Sequence, residues 1–488
     1  MKKFILFTAA AVMAGSALAQ NEQIHIFRND KNFSSVKASE IENITYKGGA
    51  TGFSKMQINR ADGSVTNIDM SVIDSCHMTV TGLPEVHVSL VDYPNLTDLM
   101  KDSYHTKEFI YKAIVRMDGN GMYDDLPEQE VEFRGRGNST WNMPKTPYRF
   151  KMAKKTSVCG MEKAKTFALI ANYIDCTLMR NAVALWTANY LEMPYSNHCV
   201  PVKVYLNGHY KGGYMMTEKI GIGGGSVDID ENSGMLFEID SNYDEDFKYK
   251  YTWQSGYSSY HLPVMVKDPD ITEIVASLGI TADEYWSKWR NDFTKFADAV
   301  TSRKSTESLS DVLDLESAVN YFIVNGLANN HELEHPKSFY IHKESLEGVY
   351  KLGPVWDFDW AFTYDGDSYN GEQASPTKVL VSKNGDAGGY AFLKCLFANE
   401  EFRAMFKAKW DLFVKEGYPM LKEYMEDYAD LIEPSAKENG LLWTGDTSVS
   451  WSKTISTWEF RKNFSTLKKW IDDRVNYMSN HRNYGLYE

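Results

Sequence analysis

Residues Gly353–Phe362 read GPVWDFDWAF and carry the strongest chemical signal in the chain. They follow a predicted strand pair at 339–342 and 349–352. Two carboxylates, Asp357 and Asp359, stand two residues apart among aromatic side chains, where an ionised acid is costly unless a cation or a hydrogen-bond donor partners it. Magnesium commonly takes one or two carboxylates and completes its shell with water and substrate phosphates. The stretch therefore predicts a metal site, although aspartates that cap the turn or the next helix would give the same pattern.

A polar segment precedes this stretch, between a predicted helix and the strand pair. Residues 329–338 read NNHELEHPKS and bring carboxylate, imidazole and ammonium groups into one connection. Such a loop can supply a phosphate-binding cation and a base, although a solvated polar loop would look the same. The two histidines stand four residues apart, but Pro336 biases His335 away from helical backbone angles, which disfavours a helical zinc pair.

A third patch combines glycines with cations. Arg134–Trp141 reads RGRGNSTW, and Pro144–Lys151 reads PKTPYRFK. Glycines between arginines, followed by a strand that carries Lys151, are suited to an anion-binding loop with a lysine that contacts phosphate. A twisted hairpin with surface cations is the alternative interpretation.

Strand patterns dominate the first half of the chain and helical patterns the second. Residues 20–82 predict a small N-terminal β module of short alternating strands. Strands continue from about residue 87 to 230, interrupted by one helix at 178–191, and Asn207-Gly208 predicts a hairpin turn. Apolar residues at i, i+3 and i+4 then predict helices at 272–278, 282–300, 315–327, 400–415 and 464–478. This order predicts an α+β fold with a β-rich first lobe and a helix-rich second lobe.

The first residues predict export. Lys2 and Lys3 precede a short apolar run at Phe4–Met13, and Ser16–Ala19 has the small-residue pattern of a signal-peptidase site, so residues 1–19 are predicted to be a signal peptide. The mature chain is then expected in the periplasm or at the cell surface. No later apolar stretch reaches the roughly 20 residues that a transmembrane helix needs, so no membrane span is predicted in the mature chain.

Composition narrows the classes of partner. The chain has 66 acidic residues against 52 Lys and Arg, a net charge of −14, which does not suggest binding to nucleic acid. Its five cysteines show no C-x-x-C spacing, which argues against a disulfide framework or a structural zinc site.

Five ordered phrases together resemble the CotH kinase family, the spore-coat kinases with an atypical protein-kinase-like fold. They are RGRGNSTW, PKTPYRFK, Met179-Arg180-Asn181, VYLNGHYKGGYMMTE at 204–218 and PVWDFDWAF at 354–362. The resemblance runs from about Val88 to the C-terminus. It implies one kinase-like domain at 83–488, with a first lobe at about 83–230 and a second lobe at about 231–488.

The resemblance also implies the roles of individual acidic and amide side chains. Asp357 matches the family's metal-binding aspartate, with Asp359 beside it and Asn330 as a further metal ligand. Glu332 stands where the catalytic base is expected, and Glu334 is the other acid that could match that position. In this scheme Asp357 and Glu332 are catalytic residues.

The remaining matches concern the nucleotide. Lys151 matches the strand lysine that contacts the phosphates, so it is predicted to be both catalytic and cofactor-binding. Glu218 closes the hairpin that resembles the hinge beside the adenine. Arg136 and Asn138 belong to the family's signature loop and are counted with the cofactor-binding residues.

These implications lead to one main hypothesis and two alternatives. The main hypothesis is an exported kinase that transfers a phosphoryl group from ATP or another nucleotide to protein hydroxyls, with Mg²⁺ (or Mn²⁺ or Ca²⁺) at Asp357. The first alternative is a catalytically inactive, kinase-like binding or surface-structural protein that recognises a protein or a glycan. The second is a phosphate- or calcium-dependent binding protein that uses the same acidic pair.

Overall fold

The N-terminal part of the protein forms two small antiparallel sheets. The computed structural model describes residues 23–28, 33–49, 52–79, 82–99, 106–304, 308–334, 336–363, 375–377, 388–443 and 459–480. The strands of this part are β1 (Gln23–Arg28), β2 (Phe33–Lys37), β3 (Ile41–Gly49), β4 (Gly52–Arg60), β5 (Val65–Asp69) and β6 (Ile73–Thr79). They pair in the orders β2-β1-β6 and β3-β4-β5 around a small core that includes Ile26 and Ile58. This part is therefore β-structured, as predicted, whereas the predicted signal peptide lies outside the described residues.

The middle of the chain closes into a seven-stranded barrel. Its strands are β7 (Glu85–Leu90), β8 (Tyr111–Asp118), β9 (Leu126–Gly135), β10 (Tyr148–Thr156), β11 (Ala164–Ile170), β12 (Val200–Leu206) and β13 (His209–Glu218), with helix α1 (Arg180–Tyr190) inserted before β12. The order around the barrel is β10-β11-β13-β12-β7-β8-β9. The predicted Asn207-Gly208 hairpin is confirmed, since both residues have positive φ and join β12 to β13. The β-rich character was predicted, but the closure was not.

Alternation along the barrel strands decides which side chains can reach a neighbour outside the barrel. Phe133 on β9 and Phe150 on β10 are buried in the barrel core, so Arg134 and Arg149 point to the outer face. Arg134 and Arg149 also pair in register across β9 and β10. The barrel thus presents two adjacent guanidinium groups on its outer surface.

The helix-rich part contains a five-stranded sheet. Its strands are β14 (Met235–Ile239), β15 (Lys248–Ser255), β16 (Ser258–Asp268), β17 (Phe339–Lys343) and β18 (Lys351–Leu352), in the order β15-β16-β14-β17-β18. The pair β17-β18 was predicted, and β14, β15 and β16 were not. This sheet shapes the candidate site because β14 and β17 pair directly. Their register brings Asp240, which follows β14, next to Ser338, which precedes β17.

Helices pack against this sheet and against one another. They are α2 (Ile271–Leu278), α3 (Ala282–Thr301), α4 (Leu315–Ala328), α5 (Gly389–Lys394), α6 (Glu400–Leu412), α7 (Tyr418–Trp443) and α8 (Phe460–Asn480). The predicted helices at 272–278, 282–300 and 315–327 agree with α2, α3 and α4, whose first turns are capped by Asp270, Thr281 and Asp314. Within the described ranges, none of the helices is long and apolar enough to span a membrane.

Candidate functional site

A cleft of about 330 Å³ lies between the outer face of the barrel and the five-stranded sheet. The barrel contributes residues of β9, β10, β11 and β13, and α1 contributes Asn181 and Leu185. The opposite wall is formed by the ends of β14 and β17 together with the segments around residues 332 and 357. The cleft therefore gathers segments that are far apart in the sequence.

One part of the cleft is apolar. Ala168 and Ile170 of β11, Met215 of β13, Leu185 of α1 and Ile220 just after β13 line it, and each of these side chains is buried. Small and aliphatic side chains of this kind form a flat wall against which an apolar ring system can pack.

The barrel side of the cleft carries an excess of positive charge. Arg134, Arg136, Arg149 and Lys219 line this side, whereas Lys267 of β16 lines the cleft from the five-stranded sheet. Arg134 forms an ion pair with Glu108, and Lys267 pairs with Glu238 at 2.7 Å. In the described part of the chain, neither Arg149 nor Lys219 has a carboxylate within 4.0 Å. Desolvation and the neighbouring cations lower the pKa of Lys219, so these like charges are close enough to repel one another.

The opposite wall carries carboxylates. Glu332, Asp357 and Asp359 line the cleft, and Glu332 and Asp359 are only 6% and 7% exposed. Desolvation and the charge of Asp357 raise the pKa of Asp359 to about 7, and the same two causes raise the pKa of Glu332 well above its ordinary value. Desolvation also raises the pKa of Asp357, although Arg136 opposes this effect. The positive charge around these three acids is therefore too small to offset their burial and their mutual repulsion.

Asp240, directly after β14, is a further carboxylate of this wall, which also contains Glu238, the partner of Lys267. Asp240 is buried, it accepts a 2.7 Å hydrogen bond from the backbone N–H of Asn242, and its charge raises the pKa of Glu332. Desolvation raises its own pKa to about 6. Sequence reasoning missed Asp240 because nothing in its local sequence sets it apart from a surface aspartate.

The acidic wall fits a divalent cation only in part. Across the ranges that the structure describes, no three His, Cys, Asp or Glu side chains are grouped closely enough to hold a metal ion by themselves. Magnesium often needs only one or two carboxylates, with water and substrate phosphates as its other ligands. Asp357 and Asp359, with their raised pKa values, provide such a pair. The donor set therefore suits a metal that is shared with a bound phosphate ligand.

Five of the residues predicted from the sequence meet in this cleft. They are Arg136, Asn138, Glu332, Asp357 and Asp359. The guanidinium of Arg136 lies 5.5 Å from the ring centre of Trp356 and lowers the pKa of Asp357. Asn138 is exposed, and its Oδ1 accepts a 3.0 Å hydrogen bond from Lys107 Nζ.

Lys151 is not brought into the cleft. Its ammonium lies 3.6 Å from Glu132, and its side chain is 50% exposed. Arg149, two residues earlier on the same face of β10, is the residue of this strand that lines the cleft. Alternation along the strand predicts that Arg149 and Lys151 share one face of β10. It does not predict which of the two lies at the cleft.

Three further side chains lie behind the cleft wall. Glu218 is buried and bonded to His198, through the ring and through the backbone N–H at 2.9 Å, whereas the next residue, Lys219, faces the cleft. Asn330 is 2% exposed, and its Oδ1 accepts a hydrogen bond from the Glu332 N–H at 3.2 Å. Glu334 lies 3.7 Å from the His331 ring and is fully buried, so Glu332 is the acid of this segment that reaches the cleft.

The architecture and the cleft define a class of protein: a mixed α+β protein with a basic barrel wall facing an acidic wall. Comparison with known families then gives the family, since the CotH kinase protein family matches residues 133–478, well over half of the 488-residue chain. The chain belongs to the CotH kinase protein family. A search of curated proteins found no match.

Proposed function

We propose that this protein is an exported kinase that transfers a phosphoryl group from a nucleotide to a protein hydroxyl. In this proposal the barrel and the helix-rich part correspond to the two lobes of a protein-kinase-like fold. The observation that carries the proposal is the cleft itself, in which Arg149 and Lys219, which have no carboxylate partner among the described residues, lie on the wall opposite Asp357 and Asp359. Phosphoryl transfer depends mainly on positioning and on neutralising charge, and a cleft with these two walls can do both.

The apolar part of the cleft suits the base of the nucleotide, and the cations suit its phosphates. Arg149 and Lys219 have no carboxylate partner among the described residues, so they are the cations best placed to bind an anion. The role that the family resemblance gave to Lys151 is therefore assigned to these two residues. Asp357 and Asp359 would hold Mg²⁺, Mn²⁺ or Ca²⁺, which neutralises phosphate charge when bound.

Glu332 is the candidate base for the acceptor hydroxyl. It lines the cleft, is coupled to Asp357 by charge, and has no hydrogen-bond or ion-pair partner for its carboxylate among the described residues. A raised pKa makes the ionised carboxylate a stronger base than an ordinary glutamate. Glu332 would then accept the proton that leaves the hydroxyl when its oxygen bonds to phosphorus.

Export is a separate part of the proposal and is supported by the charge, apolar run and small residues at the start of the sequence. Expression of the full chain in a bacterial host, followed by sequencing of the mature N-terminus, tests it. A mature protein that begins at Gln20 is expected, and an intact Met1 in the cytoplasm would contradict export.

Calorimetry tests the kinase proposal. ATP with Mg²⁺ is titrated into the mature protein, into Asp357→Ala, and into Asp283→Ala as a matched control with an exposed aspartate on α3. We expect metal-dependent binding by the parent and the control, and its loss in Asp357→Ala. Absence of binding by the parent protein would overturn the kinase proposal and leave the non-catalytic binding protein as the interpretation.

A further inference from the structure

We propose that Arg180 and Asn181, the first two residues of α1, are positioning residues that fix the Asp357–Asp359 segment in its working orientation. The inference rests on the proposed function, because it concerns the same acidic wall. Met179-Arg180-Asn181 is one of the five phrases that resemble the family, and the sequence by itself gives it no role. The structure connects this phrase, across almost 180 positions of the chain, with the acidic pair.

Both the nitrogen and the oxygen of the Asn181 side-chain amide form hydrogen bonds that support the acidic segment. Its Nδ2 donates to Asp359 Oδ1 at 2.7 Å and to Asn172 Oδ1 at 3.1 Å. Its Oδ1 accepts a hydrogen bond from the Phe358 N–H at 3.0 Å. Asn172, Asn181 and Phe358 are all buried, so water does not compete for these bonds.

Arg180 holds the backbone of the same segment. Its side chain is 1% exposed, and one guanidinium nitrogen donates to the Asp359 carbonyl at 2.9 Å. A second nitrogen donates to the Thr363 hydroxyl at 3.3 Å, beyond the segment. Asp175 lies 3.6 Å from the Arg180 Nε and accepts the Arg180 backbone N–H at 2.8 Å, so the guanidinium has a buried counter-charge.

The segment needs such support because its backbone is strained. Asp357 has a φ of +62°, in the left-handed region that residues with a Cβ rarely adopt. Conformations of this kind persist only where the surrounding structure over-determines them. Arg180 and Asn181 bond Asp359 through its carboxylate and its carbonyl, while Phe358 is bonded through its N–H. These contacts fix the Asp359 carboxylate directly, and they hold the backbone that follows Asp357.

A test must separate positioning from general stability. We would compare the parent protein with Asn181→Ala, Asn181→Asp and the matched control Asn189→Ala. Asn189 lies on the same helix, and its side-chain Nδ2 donates to the Leu185 and Asn197 carbonyls, away from the acidic segment. Should the introduced charge of Asn181→Asp prevent folding, Asn181→Ala still decides the question.

Two readouts are measured on each variant. The first is hydrogen exchange of the peptide that contains Phe358, which requires neither metal nor nucleotide. The second is the affinity for a non-hydrolysable ATP analogue with and without Mn²⁺. Groups that orient metal ligands typically change metal affinity by about 10–100-fold when removed. In Asn181→Ala we expect a loss of about this size in the Mn²⁺-dependent affinity, with metal-free affinity changed by less than about twofold.

The exchange readout has its own expected result. Loss of the Asn181 acceptor should speed exchange at Phe358 by about fivefold or more, while the rest of α1 keeps its protection. Unchanged exchange at Phe358 in Asn181→Ala would overturn the inference, and so would an equal loss of Mn²⁺-dependent affinity in Asn189→Ala. If the parent shows no Mn²⁺-dependent binding, the proposed function fails, whereas the exchange result still decides whether Asn181 holds the segment.

Discussion

Replacing Asp359 by asparagine should stabilise the folded protein, and only at high pH. The pKa of Asp359 lies at about 7, against an ordinary value of 3.8. Because one pKa unit corresponds to about 1.4 kcal/mol, ionised Asp359 destabilises the fold by about 4 kcal/mol at pH 8. Asp359→Asn removes this charge and retains an oxygen that can accept the hydrogen bond from Asn181.

The direction of this pH dependence of stability follows from proton linkage. A carboxyl whose pKa is higher in the folded state binds more protons when folded, so stability falls as pH rises between the two pKa values. The penalty of the parent protein is absent below pH 3.8, where the group is protonated in both states, and complete above pH 7. The advantage of Asp359→Asn over the parent should therefore be about 4 kcal/mol at pH 8 and less than about 1 kcal/mol at pH 4.

Urea unfolding followed by tryptophan fluorescence at pH 8 and pH 4, without added metal, measures this difference. Asp270→Asn serves as the control, because it exchanges one good helix cap for another at the exposed residue directly before α2. The reasoning would be refuted by a variant that is less stable than the parent at pH 8, or by the same gain at both pH values. A loss of Mg²⁺-dependent nucleotide binding should accompany the gain in stability.

Two further predictions concern the barrel and its contact with α7. Arg149→Ala should weaken binding of ATP by about tenfold or more, since a charge-assisted hydrogen bond contributes roughly 1.5–3 kcal/mol. Lys151→Ala, the control, should leave the affinity unchanged. Equal effects of the two substitutions in calorimetry would show that the phosphates bind elsewhere. Gly213→Ala should cost about 1–3 kcal/mol in urea unfolding, because a Cβ there would lie 2.7 Å from the Ser435 Oγ. In a Ser435→Ala background the cost should largely disappear, because the next Ser435 atom is 3.8 Å away; an undiminished cost would show that another contact is responsible.

Several features of the protein could be predicted because they depend on neighbouring residues. Helical periodicity predicted α2, α3 and α4 to within a few residues, and Asn207-Gly208 predicted the turn between β12 and β13. Strands β14 to β16 and helix α7 were missed. In β14 all five residues are buried, so the alternation that marks a half-exposed strand is absent.

The candidate site, too, could be predicted from the sequence only in part. The spacing of Asp357 and Asp359 among aromatic residues identified the acidic pair, and the segment at 329–338 offered two candidate bases. Only the packing shows that Glu332 faces the cleft while Glu334 turns to His331. His331–Glu334 forms one turn of 3-10 helix, in which residues two apart point in different directions, and only the packing of that turn decides which of the two acids faces the cleft.

The sequence alone determined the family, through five short phrases in a fixed order, and it determined the sequence of a β-rich part followed by a helix-rich part. Those features are local, because a motif or a periodicity is complete within a few turns of the chain. The tertiary structure decided that the barrel closes, that Arg149 rather than Lys151 lines the cleft, and that Asp240 and Lys219 join it. Closure and convergence bring together segments separated by more than a hundred residues, and such contacts depend on the packing of the whole chain.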